Sequence, residues 1–84
     1  MKKVSSKVLN EVLRLIAKEF RFSAADIRKI KKEKDGLVWG MAVSLSREIS
    51  GQRRPKGFEK YLAYIPGLTI SYQKLKEKLE KKFV

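Results

Sequence analysis

Positively charged side chains are the main chemistry that this sequence offers. It contains 21 Lys and Arg residues against 9 Asp and Glu residues, a net charge of +12 at pH 7. The cations form three clusters: Arg28, Lys29, Lys31, Lys32 and Lys34; Arg47, Arg53, Arg54, Lys56 and Lys60; and the lysines of residues 74–82. Such an excess repels itself unless a polyanion neutralises it, so nucleic acid is the first expected partner and an anionic membrane surface the second.

The groups that usually carry catalysis or bind metal are scarce. The sequence has no His and no Cys, which leaves carboxylates, lysines and hydroxyls as candidate acids, bases and nucleophiles. Glu33 with Asp35 and Glu77 with Glu80 stand among lysines, as solvated helix charges do. No glycine-rich phosphate loop ending in Lys and Ser or Thr is present. We therefore expect no enzymatic activity, no metal, no cofactor and no small-molecule substrate.

Four aromatic side chains allow two interpretations. Stacking on bases, as in single-strand-binding proteins, is one role open to them. Their helical spacing with Leu and Ile favours packing in a hydrophobic core instead. The four are Trp39, Tyr61, Tyr64 and Tyr72. We predict core packing for all but Tyr64, which falls off the apolar stripe.

The length and composition predict one domain, residues 1–84. A chain of this size buries about 60 to 65% of its surface in a single core, and without Cys that core must hold by packing alone. Residues 5–21 carry Lys7, Glu11 and Arg14 among their apolar residues, which argues against a signal-peptide core or a membrane span. We expect a cytoplasmic, nucleoid-associated protein with no membrane partner.

Apolar residues repeat at three- and four-residue steps in five segments, which predicts five helices and no strand. The segments are residues 5–20, 24–33, 37–49, 55–65 and 69–83. The third is the most apolar and is predicted to be the most buried. Predicted N-terminal caps are Ser5 or Ser6, Ser23 in a capping box with Asp26, and Thr69 or Ser71.

The end of the chain predicts a helix-turn-helix. Pro66 and Gly67 separate the fourth helix from the fifth, which is the outline of this motif. On the last helix, Tyr72, Leu75, Leu79 and Phe83 are expected to face the core. The sequence therefore predicts an all-α, five-helix domain with short connections.

Three stretches of this sequence resemble the C-terminal duplex-binding domain of the bacterial replication initiator DnaA, a Trp-repressor-like helix-turn-helix domain also found in transposase relatives. They are residues 16–20, residues 23–27 and, above all, residues 41–50, MAVSLSREIS, which is similar to the family's AMYLARELT helix. The last helix is similar in spacing to the family's recognition helix, with Ser71 matching a base-facing Thr. The resemblance covers residues 12–80 and implies the fold and duplex DNA as the partner.

Two departures from the family pattern lie at its DNA-reading positions. The family's GGRDH signature, which reads bases in the major groove, is replaced here by the longer stretch 63–70, without its Arg, Asp and His. The family's arginine-rich minor-groove loop is matched only by Lys31, Lys32 and Lys34. The resemblance thus implies the fold without the family's specificity for its origin DNA sequence, the origin box. The initiator's ATPase domain has no counterpart here, which implies a freestanding module or one excised from a larger protein.

The leading functional hypothesis is double-stranded DNA binding by the helix-turn-helix, with weak or altered specificity, in replication, transposition or transcription regulation. The residues expected to face bases are Thr69, Ser71, Gln73 and Lys74, and those expected to meet phosphates are Arg53, Arg54, Lys56 and Lys78. One alternative is a protein-interaction adaptor with an apolar patch of Tyr64, Leu68 and Ile70. Another is an RNA-binding module that recognises shape and phosphates.

Overall fold

The structure, a computed structural model, describes residues 6–83, and for Phe83 the backbone only. Within this range the chain forms five helices and no strand, which confirms the all-α prediction. The helices are α1 (Ser6–Phe20), α2 (Ala24–Glu33), α3 (Gly36–Ile49), α4 (Lys56–Tyr64) and α5 (Leu68–Phe83). The closer assignment to the DnaA domain stays a prediction.

Helix α3 lies at the centre of the fold, as its apolar sequence predicted. It contacts each of the other four helices. Met41, Ala42 and Leu45 on α3 are buried, and they join the core formed by α1 and α5. The remaining core residues are Val12, Leu13, Ile16, Phe58, Leu68, Tyr72, Leu75 and Leu79. A small domain without disulfides depends on this single cluster for its stability.

The predicted capping box at α2 is confirmed. The Ser23 hydroxyl accepts a hydrogen bond from the Asp26 amide (3.2 Å), and the Asp26 carboxylate accepts one from the Ser23 amide (3.0 Å). Both bonds satisfy donors that the first helical turn leaves free. Because they favour the ionised carboxylate, they lower the pKa of Asp26. Aspartate therefore serves here at a position more often held by Glu or Gln.

The predicted start of the last helix is wrong. Helix α5 begins at Leu68, so Thr69 and Ser71 lie inside its first turn and neither is its cap. The chain enters the helix through Gly67 at φ +80°, a left-handed conformation that glycine adopts without steric cost. The predicted cap Ser5 and the inward direction of Phe83 lie outside what the structure describes, and Ser6 is the first residue of α1.

Helices α3 and α4 approach closely where Gly40 faces Phe58. A Cβ atom at Gly40 would lie 3.3 Å from the Phe58 ring, which is tighter than ordinary van der Waals contact. The absence of a side chain therefore lets Phe58 pack into the core. This contact fixes the start of α4 against α3.

Candidate nucleic-acid interface

Helices α4 and α5 are joined by residues 65–67, and we call this arrangement the α4–turn–α5 unit. Backbone hydrogen bonds close the turn, since the Leu68 amide donates to the Ile65 carbonyl (3.2 Å) and the Ser71 amide to the Gly67 carbonyl (3.1 Å). Between the helices, the Phe58 and Tyr72 rings pack with centroids 5.4 Å apart. The unit is therefore held together by its own core as well as by α3.

The outward face of α5 follows from its buried face. Leu68, Tyr72, Leu75 and Leu79 are buried, and with about 3.6 residues per turn the opposite side of the helix carries positions 70, 73, 74 and 77. Those residues, Ile70, Gln73, Lys74 and Glu77, are all exposed. This stripe is the solvent-exposed face of α5 and is called its outward stripe.

Two of the predicted base-facing residues, Thr69 and Ser71, do not lie on the outward stripe of α5. Ser71 lies on the flank of the helix and is half-buried. Thr69 is exposed, but its hydroxyl donates to the Leu62 carbonyl of α4 (3.3 Å). Ile70, which sequence reasoning did not place among the base-facing residues, takes the outward position and is 63% exposed. The signal that could have found it is the three- and four-residue spacing from Ile70 to Gln73 and Lys74.

The predicted phosphate contacts near the start of α4 divide into two kinds. Arg53 and Lys56 are exposed, and neither forms an ion pair with another residue that the structure describes. Arg54 is different, because its Nε lies 3.4 Å from a carboxylate oxygen of Glu48 and its side chain is only 33% exposed. The first two are open to an anion, whereas Arg54 belongs to an internal network.

Glu48 is the centre of that network. Its carboxylate accepts a hydrogen bond from the Tyr72 hydroxyl and lies 3.8 Å from the Lys76 ammonium group. The Arg54 guanidinium also stands 5.7 Å from the centre of the Tyr72 ring. Burial of the phenol and its bond to the Glu48 carboxylate raise the pKa of Tyr72. The network joins α5 to α3 and to the segment before α4.

Sequence reasoning missed the role of Glu48. The residue falls within the stretch that resembles the DnaA family, where it counted only as part of a helix. Its partners stand 6 to 28 positions away along the chain, so no local spacing shows the contact. Only the packing of α5 on α3 brings Tyr72 and Lys76 to this carboxylate.

Lys78, another predicted phosphate contact, reaches back toward α1. Its ammonium group donates to the Glu19 carboxylate at 3.0 Å. One helical turn further on, Lys82 donates to Glu11 at 2.6 Å, and this bond lowers the pKa of Glu11. Exposed ion pairs of this kind add little stability because water and salt screen the charges. Lys78 therefore ties α5 to α1, although a phosphate could compete for it.

The predicted minor-groove lysines lie on a separate part of the molecule. Lys31, Lys32 and Lys34 are exposed, and they form no ion pair with any residue in the range 6–83 that the structure describes. Helix α2 contacts α1 and α3 and, within the same range, neither α4 nor α5. These lysines thus form a second cationic surface, beside α1 rather than on the α4–turn–α5 unit.

The apolar patch expected of an interaction adaptor is smaller than predicted. Tyr64 is 82% exposed and Ile70 is exposed as well, but Leu68 is only 7% exposed and belongs to the core. The predicted core packing is confirmed for Tyr72, whereas Tyr61 is 45% exposed beside Phe58. Trp39 packs half-buried against the core. The patch therefore consists of Tyr64 and Ile70.

Neither a metal site nor a membrane span is found in the described part of the chain. No group of three or more Asp or Glu side chains there could hold a metal ion. No helix there has the length and apolar character needed to cross a bilayer.

Comparison with known proteins identifies no relative of this chain. No protein-family model matches the chain, and no curated protein or solved structure does so. The resemblance to the DnaA domain therefore rests only on residues 16–20, 23–27 and 41–50 and on the spacing of the last helix.

Proposed function

We propose that this protein binds double-stranded DNA through the α4–turn–α5 unit, with α5 in the major groove. The observation that carries this proposal is the arrangement of α5, whose buried face packs on α3 while Ile70, Gln73 and Lys74 stand exposed on the other side. A helix held firmly by its core and polar on its outer face is the form in which bases are read. On this proposal the protein associates with the nucleoid.

Phosphate contacts would come from the residues in front of α4. Arg53 and Lys56 are exposed and free of ion pairs with other described residues, and α4 has no side-chain cap on its first amide groups. Free amide donors at a helix start attract phosphate oxygens. Lys31, Lys32 and Lys34 belong to the separate cationic surface at α2 and are not counted in this interface, while the net charge of +12 favours any nucleic acid.

Sequence recognition on this proposal is weak. On the outward stripe, Gln73 can form a bidentate contact with adenine, Lys74 can donate to guanine as a flexible point charge with little geometric selectivity, and Ile70 offers an apolar contact to a thymine methyl group. Glu77 on the same stripe adds a negative charge near the phosphates. Because each good bidentate contact contributes about 1 to 3 kcal/mol of discrimination, one Gln supplies only a small preference.

A salt titration with a short, labelled duplex of random sequence tests the proposal. We expect roughly four to seven phosphate contacts, hence a slope of log affinity against log salt of about −4 to −6 between about 50 and 200 mM. Arg53→Ala with Lys56→Ala should weaken binding and reduce that slope by about 2. The control variant, Lys7→Ala with Lys18→Ala, removes the same charge from the exposed surface of α1. It should change the affinity and the salt slope much less.

Equal losses in the two double variants would mean that binding follows net charge alone and would contradict the proposed interface. A slope near zero would refute polyanion binding altogether. A duplex RNA of the same length distinguishes the RNA-binding alternative, because tighter binding to RNA would replace DNA as the partner.

The adaptor function is supported by one observation, the exposure of Tyr64 and Ile70 at the same end of the α4–turn–α5 unit. The hydrogen bond from Thr69 to Leu62 holds the end of α4 beside the start of α5. Large apolar side chains in such a position suit a protein contact. If neither duplex DNA nor duplex RNA binds at low salt, a protein-interaction function explains the α4–turn–α5 unit better than nucleic-acid binding.

A further inference from the structure

A groove of about 760 Å³ lies between α1 and α2. Its small and apolar lining residues are Ala17, Ala24 and Ile27, and its cationic ones are Arg14, Arg28 and Lys31. Helix α2 contacts α1 and α3 but, in the described range, neither helix of the α4–turn–α5 unit. The groove is therefore a surface that the proposed DNA-binding function leaves unused.

The packing of α2 leaves apolar surface in this groove uncovered. None of the residues of α2 is buried; of its two apolar lining residues, Ala24 is exposed and Ile27 is only half-buried against the core. Ala17 on the facing side of α1 is half-buried too. A partner with an apolar stripe would remove this surface from water, which is the main driving force for association.

The charge of the groove is positive. Arg28 and Lys31 form no ion pair with other described residues, and Arg14 meets only Glu11, at 4.0 Å, with a largely exposed side chain. Glu11 is the acidic lining residue, and its carboxylate is held by Lys82 at 2.6 Å. That hydrogen bond offsets its charge, so the three cations dominate the field at the groove.

We propose that the α1–α2 groove binds an acidic amphipathic helix of a partner protein. The partner's apolar side chains would lie on Ala17, Ala24 and Ile27, and its flanking carboxylates would pair with Arg14, Arg28 and Lys31. This is the helix-in-groove mode of recognition, with apolar anchors three and four residues apart.

Nucleic acid fits this groove less well than a helix does. Helices α1 and α2 are direct neighbours, so the side chains of a partner helix can enter the groove between them, whereas a duplex would meet only its rim. The lining contains no aromatic residue, whereas single strands bind by stacking on aromatic rings. This inference goes beyond the proposed function and does not depend on it, since it concerns a different surface.

A synthetic peptide of about 18 residues, with Leu along one helical face and Glu beside it, provides the probe. We expect it to bind the full chain with a Kd of about 10 to 100 μM, and a peptide of the same composition with a scrambled Leu pattern to bind at least about tenfold more weakly. In a ¹H–¹⁵N spectrum, the shifted amides should lie in residues 10–17 and 23–31. Shifts confined to other segments would refute the site.

Matched charge reversals on α2 separate the groove from general attraction. Arg28→Glu with Lys31→Glu changes two lining residues, and Lys29→Glu with Lys32→Glu makes the same charge change on the same helix outside the lining. The first pair should weaken peptide binding by at least about tenfold and the second by much less. Circular dichroism checks that both variants keep the helical fold.

Equal weakening by the two pairs would overturn the proposal, because it would show a response to net charge only. The same titration in the presence of duplex DNA provides an independent check. The peptide should stay bound when DNA is added, whereas displacement by DNA would make the groove a polyanion site and refute the proposal. The proposed DNA-binding function is judged from the DNA titration alone, so the two can fail separately.

Discussion

Replacement of Glu48 by Ala should strongly destabilise the protein, because three groups lose one partner. The Tyr72 hydroxyl is part of a buried side chain and donates to this carboxylate. A hydrogen bond to a charged group contributes about 1.5 to 3 kcal/mol. Arg54 and Lys76 lie 3.4 and 3.8 Å from the same carboxylate, and such partly exposed pairs add at most about 1 kcal/mol each.

The expected loss in the free energy of unfolding is therefore about 2 to 4 kcal/mol. A domain of this length has a total of about 4 to 13 kcal/mol at the usual stability per residue, so the variant should melt well below the wild type. Urea denaturation followed by circular dichroism measures the difference. The change should appear in the midpoint and not in the slope, since the fold itself is unchanged.

Two further variants show where the energy resides. Glu48→Gln keeps an acceptor for Tyr72 but loses the charge, so it should cost less than Glu48→Ala. Glu59→Gln removes a more exposed carboxylate 4.0 Å from Arg54 and should have almost no effect. In a double-mutant cycle, Glu48→Ala and Tyr72→Phe should show a coupling energy of about 1 to 2 kcal/mol. A coupling energy near zero, or a loss below about 0.5 kcal/mol for Glu48→Ala, would refute the assignment of this network.

Four other outcomes follow from the described contacts. Leu45→Ala should cost about 2 to 5 kcal/mol in a melting experiment, because Leu45 is fully buried on the central helix; an unchanged melting temperature would contradict that placement. Ser44→Ala, one position away, should be neutral or stabilising by up to about 1 kcal/mol, since the buried Ser44 hydroxyl finds no hydrogen-bond partner among the described residues; a large loss would reveal a bond that the structure does not show. The pKa of Asp26 is lowered in the folded protein, so its ionised carboxylate should add stability above the unfolded pKa, near 4, and this stability should be lost as the pH falls through the folded pKa. The difference in melting temperature between wild type and Asp26→Ala should therefore shrink in acid. A difference that is independent of pH would exclude this linkage. In a competition titration, binding to the DnaA origin box should exceed binding to scrambled duplex by less than about tenfold, or about 1.4 kcal/mol, with Gln73→Ala reducing the preference; a hundredfold preference would restore the family's specificity.

The sequence by itself determined the helices and most of the core. The spacing of Val12, Leu13 and Ile16 on α1, and of Tyr72, Leu75 and Leu79 on α5, places each set on one side of a helix, and all six are buried. The capping box at Ser23 was also predictable, because it too depends on residues close together in the sequence. Its two bonding residues are three positions apart, so local geometry alone specifies the contact.

The outward face of α5 was only partly predictable. Thr69 and Ser71 resemble helix caps in sequence, but the chain enters the helix at Leu68, which packs into the core. Burial of Leu68 against neighbours distant in sequence outweighs the local capping preference of two hydroxyl residues. With Leu68, Tyr72 and Leu75 in the core, the helical period places Ile70 on the opposite side of α5 and Ser71 on the flank.

The partners of the charged residues were decided by the tertiary structure alone. From the sequence, Arg54 and Lys78 were predicted to meet phosphates, yet Arg54 lies against Glu48 and Lys78 against Glu19. Charged side chains are long and interact across space, so the pairing depends on which helices pack together and not on local spacing. Composition therefore determined that the net charge of the protein is positive. The packing of α5 against α1 and α3 decided which cations remain available to a partner.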